Sequence, residues 1–243
     1  MFEDIDQLKQ QLDQHRPLAP NIVKNLQEDL ILRWTYHSNA IEGNTLTLME
    51  TKVVLEGITV GGKSLREHFE AINHRNAIYY VEDIIKKQEP FSEWQIRNIH
   101  QLILKNIDDD HAGRYRQQNV IISGASANPP DHTLITDKIA QFIDWYNNEA
   151  ARVHPIERAA KVHADFVGIH PFIDGNGRTS RLLMNLELMK AGYPPCVITV
   201  ENRLAYYEVL DQWMAQGITE PFIHFVHDAV FEGFQPYRVV LGI

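Results

Sequence analysis

At 243 residues, with 44% hydrophobic and 23% charged content, the chain is long enough for one domain or two small ones and apolar enough to bury a core. Lys+Arg 23 against Asp+Glu 32 gives a net charge of −9, which argues against non-specific binding to nucleic acid or to an anionic membrane. The single cysteine, Cys196, excludes an internal disulfide and a cysteine-based zinc site. The acidic opening MFEDIDQLKQ and the lack of about 18 consecutive apolar residues give no signal peptide or membrane span, so a cytoplasmic protein is expected.

A short polar helix is expected over 3–15, ended before Pro17. After Pro20, Asn21 caps a longer helix with apolar positions Val23, Leu26, Leu30, Trp34 and Ile41, stopped at Gly43-Asn44. Ser38 and Glu42 share one face of its last turn, about 6 Å apart along the axis. A carboxylate at that end opposes the helix dipole and calls for a compensating cation. Taken alone, Glu42 reads as a solvated residue.

Thr47 to Glu50 is a capping box opening a helix over 47–57. The stretch from Gly57 to Ser64, GITVGGKS, matches the P-loop pattern GxxxxGK[ST], with Val53-Val54-Leu55 as a candidate strand before it. A P-loop needs a parallel sheet, and no series of strands alternates with helices here. The preferred reading is a connector carrying an exposed Lys63, with a P-loop NTPase as the alternative.

Helices follow over 64–87 and 92–107, then an acidic turn at Asp108-Asp109-Asp110. His68 and His74 lie off one face and read as packing or hydrogen-bonded residues. Val120-Ile121-Ile122 is the β signal, and the return from Ser123 and Gly124 to Pro130 predicts one hairpin. Its unpaired edge suits a partner's extended segment added as a strand. Helices over 136–151 and 156–169 lead to the loop that organises the chain. A dinuclear site using His163 is disfavoured, as are metal roles for His224 and His227, because arginines surround the loop. The helix over 203–215 carries Tyr206 and Tyr207.

Residues 170–181 read HPFIDGNGRTSR. Gly175 and Gly177 flanking Asn176 make a tight loop between two helices, the second beginning near Asn176 with Leu182, Leu183, Leu186 and Met189 at helical spacing. The unpaired amides from Gly175 to Arg178 and the positive end of the dipole form an anion site, which Arg178 and Arg181 strengthen. A phosphate chain suits it. Asp174 would repel such a ligand unless Mg²⁺ lay between them, which assigns the metal to Asp174. His170 is the group able to accept a proton near neutral pH.

The same twelve residues carry every fixed position of HPFx[D/E]GNGRxxR, and the sequence therefore resembles the Fic (Fido) domain proteins. The similarity runs from about Asn21 onward, with LLMNLELMKAGYPP after the loop continuing it. The resemblance implies a mainly α, Fic-type helical bundle with one β-hairpin flap. It implies an N-terminal region over 1–60 carrying an inhibitory motif at 38–44, and a catalytic core over 61–243. The activity implied is transfer of AMP from ATP to a Ser, Thr or Tyr hydroxyl of a target protein, with His170 as base.

Ser38, Glu42 and Gly43 fit the family's inhibitory pattern [S/T]xxxE[G/N], in which the glutamate pairs with the second arginine of the loop, here Arg181, and denies it to the γ-phosphate. Nucleotide contacts are implied for Glu42, for Ile121, Ile122, Ser123 and Gly124 of the flap, and for Asp174, Gly175, Asn176, Gly177, Arg178, Thr179, Ser180 and Arg181. Tyr206 and Tyr207 resemble the nucleobase-contacting tyrosines, while Met214 and Ala215 stand where some relatives carry an asparagine. The target is expected on the flap over 120–130. Removal of AMP through water oriented by Glu42, transfer of another nucleotide or of phosphocholine, and a homodimer stay open.

Overall fold

A computed structural model describes residues 1–242, which form a helical array. In chain order the helices are α1 (Glu3–Asp13), α2 (Pro20–Ile41), α3 (Leu48–Leu55), α4 (Leu65–Lys86), α5 (Glu93–Leu104), α6 (Ile135–Asn148), α7 (Pro155–Ile169), α8 (Asn176–Lys190), α9 (Arg203–Gln216), α10 (Glu220–Gly233) and α11 (Gln235–Leu241).

Local chemistry sets most of the boundaries. Thr47 and Ser64 each accept from the backbone N–H three residues on, and Glu50 and Glu67 reach back to the cap amides, so complete capping boxes start α3 and α4. Pro20 opens α2 from its first position, with fixed φ and no N–H to lose; Asn21 therefore lies inside the helix and is not its cap. Val53–Leu55 is the end of α3, so no strand precedes the Gly57–Ser64 connector. Lys63 is not exposed there: its ammonium donates to Thr45 O at 2.5 Å and Thr45 Oγ1 at 3.1 Å, and lies 3.5 Å from Glu50. A lysine so engaged cannot cradle phosphates. His68 closes the same connector by accepting from Val60 N at 2.9 Å, and His74 is buried against Thr35.

The centre is α8, antiparallel to α7 across the loop at 170–175. Its residues from Arg178 to Leu188 are buried on every face. Leu182, Leu183 and Leu186 pack with Ile78, Ile99, Phe166 and Phe172 on one side. Met184 and Leu188 pack with Ile41, Ala160, Phe222 and Phe234 on the other, where α1 adds Ile5 and Leu12. Burying polar side chains in such a position is costly unless each finds a partner. Asn185 exchanges two hydrogen bonds with the backbone of Cys196, both 2.8 Å. Glu187 accepts from Tyr146 Oη at 2.7 Å and Arg158 Nε at 3.0 Å.

The expected hairpin is not formed: among the described residues there is no β-strand. Residues 117–131 are an irregular loop closed at its base by side chains. Arg116 donates to the carbonyls of Gln118 and Pro130, and Asn119 bonds both Asp131 and His132 N. Three β-branched residues signal a pleated, half-buried surface, and here Ile121 has no sheet to cover and stands 86% exposed.

Candidate active site

The site forms where three elements converge: the end of α2, the loop at 170–175, and the first turn of α8. Gly175, at φ +76°, turns the chain into α8, and a side chain there would crowd Ile103 at 3.2 Å and His100 at 3.3 Å. Asn176 locks the loop from inside, accepting from Phe172 N at 3.0 Å and donating to Phe172 O at 2.9 Å. Its amide group is thereby consumed, so only its backbone N–H faces a ligand. His100 pins the loop from outside, bonding Asp174 O at 2.8 Å and Gly113 N at 2.9 Å while stacked on Phe172.

The amide of Gly175 is also spoken for, by Asp174 Oδ1 at 2.6 Å. The amides of Asn176, Gly177 and Arg178 lack intrahelical partners, as the opening of a helix requires, and they constitute the anion site. Over them leans Glu42, the C-cap residue of α2. A Cβ on Gly177 would collide with Glu42 Oε1 and come within 3.1 Å of Arg181 Nη1, so glycine is the residue that fits.

Glu42 Oε1 accepts from Arg181 Nη2 at 2.7 Å, joining groups 139 residues apart in sequence. Arg181 is buried and held on further sides: Nε donates to Ser38 Oγ at 3.0 Å, Nη2 to Ser38 O at 2.9 Å, and Nη1 lies 3.5 Å from Tyr206 Oη. Burial works against its charge, but Glu42 outweighs it and the guanidinium's pKa is raised. Tyr206 is itself buried, its hydroxyl pushed up to about 12 by desolvation and hydrogen-bonded to His163 Nε2 at 3.0 Å. Desolvation holds His163 neutral, well below the ordinary imidazole range. Tyr206 thus supports Arg181 from the core. Tyr207 is the exposed member of the pair, its ring under Arg203 and its hydroxyl on Ile41 O at 3.3 Å.

Arg178 is buried too, with Nη2 3.1 Å from Asp174 Oδ1 and Nη1 3.4 Å from Glu70 Oε1. Burial raises the Asp174 pKa, but Arg178, the Gly175 amide and Arg66 together hold it below the usual carboxylate value. His170 caps α7 in the left-handed region, φ 49° and ψ 58°, with its carbonyl accepting from Arg116 Nε at 2.9 Å. Its Nδ1 is buried and faces the backbone of Val167. Desolvation lowers its pKa to about 4, aided by the Arg116 charge and against the pull of the Val167 backbone, Glu42 and Asp174. The imidazole is therefore neutral at pH 7, ready to accept a proton.

A cavity of about 410 Å³ brings together Glu42, Ile122, Ser123, Gly124, His170, Gly177, Arg181, Tyr206 and Tyr207. Thr179 and Ser180 point into the core; Ser180 Oγ donates to Gly177 O at 2.8 Å. Ile121 points outward and does not join the cavity. Sequence reasoning missed Val167, Arg203, Leu210 and Asp211 in its wall. It also missed Arg66 and Glu70, which read in sequence only as an i,i+4 helix pair. A larger cavity of about 660 Å³ adjoins it behind the 117–131 loop, sharing Ile122 and Met214, but holds none of the anion-binding groups.

Among the described residues no group of three His, Cys, Asp or Glu side chains could hold a metal ion, and no helix is long and apolar enough to cross a membrane. Mg²⁺ needs less than such a cluster when phosphate oxygens and water complete its shell. Asp174, 43% exposed beside the anion site with its Oδ2 held by Arg66 Nη2 at 2.7 Å, would serve as such a single carboxylate ligand once that pair opens.

A helical protein whose central helix presents an anion-binding N-terminus, stoppered by a carboxylate from its own chain, is the class that fold and site define. The Fic/DOC family model matches residues 90–188. The protein adenylyltransferase Fic of Nematostella vectensis is 40% identical over 229 residues, 93% of this chain and 53% of that protein. The protein adenylyltransferase fic-1 of Caenorhabditis elegans is 36% identical over 208 residues, 84% of this chain and 40% of that protein. The chain thus spans about half the length of the curated relatives it matches. A solved segment of C. elegans Fic-1 superposes with a TM-score of 0.89 at 32% identity, over 99% of this chain and 72% of that one. A Fic domain containing signaling protein from Bacteroides thetaiotaomicron gives 0.91 at 29%, over 99% and 97%. The chain belongs to the Fic/DOC family.

Proposed function

We propose that the chain is a protein adenylyltransferase, transferring AMP from ATP to a Ser, Thr or Tyr hydroxyl of a target protein, and that Glu42 restrains it by occupying Arg181. The observation that carries this reading is the Glu42–Arg181 ion pair at 2.7 Å, set over Gly177 in one cavity with a neutral His170. An arginine held this deeply on a helix N-terminus suits a phosphate oxygen, and a carboxylate there is a stand-in that a phosphate must replace.

In this reading the amides of Asn176, Gly177 and Arg178 hold the phosphates, and Arg181, released from Glu42, takes the outermost. Asp174 would hold Mg²⁺, which would offset the charge of the phosphates. His170 takes the proton of the incoming hydroxyl as the oxygen attacks the α-phosphorus and pyrophosphate leaves. The amides from Val120 to Gly124 donate to no acceptor among the described residues, which supports docking of the target's extended segment along that loop. The likeness to the Nematostella and C. elegans adenylyltransferases supports the same activity. Because Glu42 also faces the cavity, it is placed to orient a water that removes AMP from a modified target.

The test is Glu42→Gly protein incubated with isotope-labelled ATP in a cell lysate, followed by mass spectrometry of the modified proteins. The expected result is an AMP adduct on a hydroxyl, more abundant than with the unaltered chain and lost with His170→Ala. An adduct of different mass assigns another donor. No adduct on any protein overturns the reading.

A further inference from the structure

Asp174 has two oxygens, and their partners differ in kind. Oδ1 is engaged within its own loop, by Gly175 N and Arg178 Nη2. Oδ2, the oxygen left for a ligand, is met at 2.7 Å by Arg66 Nη2, from a residue 108 positions away. A divalent ion must take a lone pair of that oxygen, and a guanidinium in contact with the same atom both blocks it and repels the ion.

Arg66 is not there by accident of a floppy surface chain. The Ser64 capping box fixes the first turn of α4, and Lys63, bound to Thr45 and Glu50, fixes the connector before it. Arg66 Nε lies 3.1 Å from Glu70 Oε1, and Glu70 Oε2 accepts from Asn44 Nδ2 at 2.8 Å. Asn44 stands two residues after Glu42. The segment that carries the Arg181 stopper is thus wired through Glu70 to the arginine on Asp174.

We propose that Arg66 is a metal-gating residue: it holds Asp174 Oδ2 in the nucleotide-free protein, must yield to the divalent ion, and so sets how strongly nucleotide binding depends on metal. The proposal rests on the assignment of Asp174 as the metal ligand in the reading above. On displacement Arg66 stays bound to Glu70, its half-exposed side chain swinging outward.

Isothermal titration of ADP into the chain, once in Mg²⁺ and once in EDTA, tests it without turnover, since ADP has no pyrophosphate to release. The quantity read is the ratio of the Kd in EDTA to the Kd in Mg²⁺. Arg66→Ala should raise this ratio by about two- to five-fold, the range of a half-exposed ion pair. Arg66→Lys, which keeps the charge but loses the separate nitrogens that bond Glu70 and Asp174 at once, should fall between. A ratio unchanged or reduced in Arg66→Ala overturns the proposal. Asp174→Ala separates the two levels: it should bring the ratio close to one, and a ratio that survives it removes the metal assignment itself.

Discussion

His170 shows how one residue's setting determines its chemistry. Its pKa is lowered to about 4, chiefly by burial, so the unprotonated form persists well below the ordinary imidazole range. A rate that depends on His170 as base should therefore hold level as pH falls through about 6.5 and drop only as pH approaches 4. A pH–rate profile of the Glu42→Gly protein checks this, and a drop centred near 6.5 would mean a solvated histidine. The pairing of Glu42 with Arg181 was not legible from its own surroundings, because the partner lies 139 residues away; only the motif around it pointed there. The signature asparagine was legible as a member of the loop but not as its internal lock, since Phe172, which it binds, offers only backbone groups and leaves no mark in the sequence. Tyr206 and Tyr207 are adjacent and chemically identical, and burial alone makes one a support for Arg181 and the other a surface residue.

At the scale of elements, what is local was legible. The capping boxes of α3 and α4 are each closed within four residues, and the sequence predicts both starts. The 117–131 loop was misread as a hairpin because β propensity reports packing against neighbouring strands, and none is present among the described residues. Arg116 replaces the missing ladder, donating at once to the carbonyls of His170, Gln118 and Pro130. Arg116→Ala should leave the helices intact and release the loop, so limited proteolysis should cut within 117–131 several times faster, and the proposed AMP transfer should weaken as the His170 carbonyl loses its donor. Unchanged cleavage would show that Asn119 and Asp131 suffice to close the loop.

For the whole molecule, the central place of α8 was half legible. Its leucines follow a helical stripe, but the burial of Arg181, Asn185 and Glu187 on the same helix depends on partners from α2, α6, α7 and the 196 region. The core also encloses several histidines held neutral. Burial lowers the pKa of His100 and His170 to about 4, and that of His74 and His163 well below the ordinary value. The unfolded chain protonates these groups near 6.5 and the folded one does not, so stability present above that pH is lost as pH falls toward 4. Each such histidine makes stability fall with pH in that window. Chemical denaturation at successive pH values should show stability declining steeply below about pH 6, and a flat profile between 6.5 and 5 would contradict these burials.

If Glu42 restrains the site as proposed, the stopper is borne on a helix that the protein cannot spare. Trp34 and Ile41 of α2 are 2% and 0% exposed, each built into one of the two apolar clusters, whereas Glu42 is the first residue beyond them and Gly43 follows at φ 97°. Withdrawing the whole helix would bare the interior and forfeit the fold along with the restraint. Relief must then come from motion no larger than a terminal turn or one side chain, and so by small, fast, reversible excursions more than by any rearrangement of architecture.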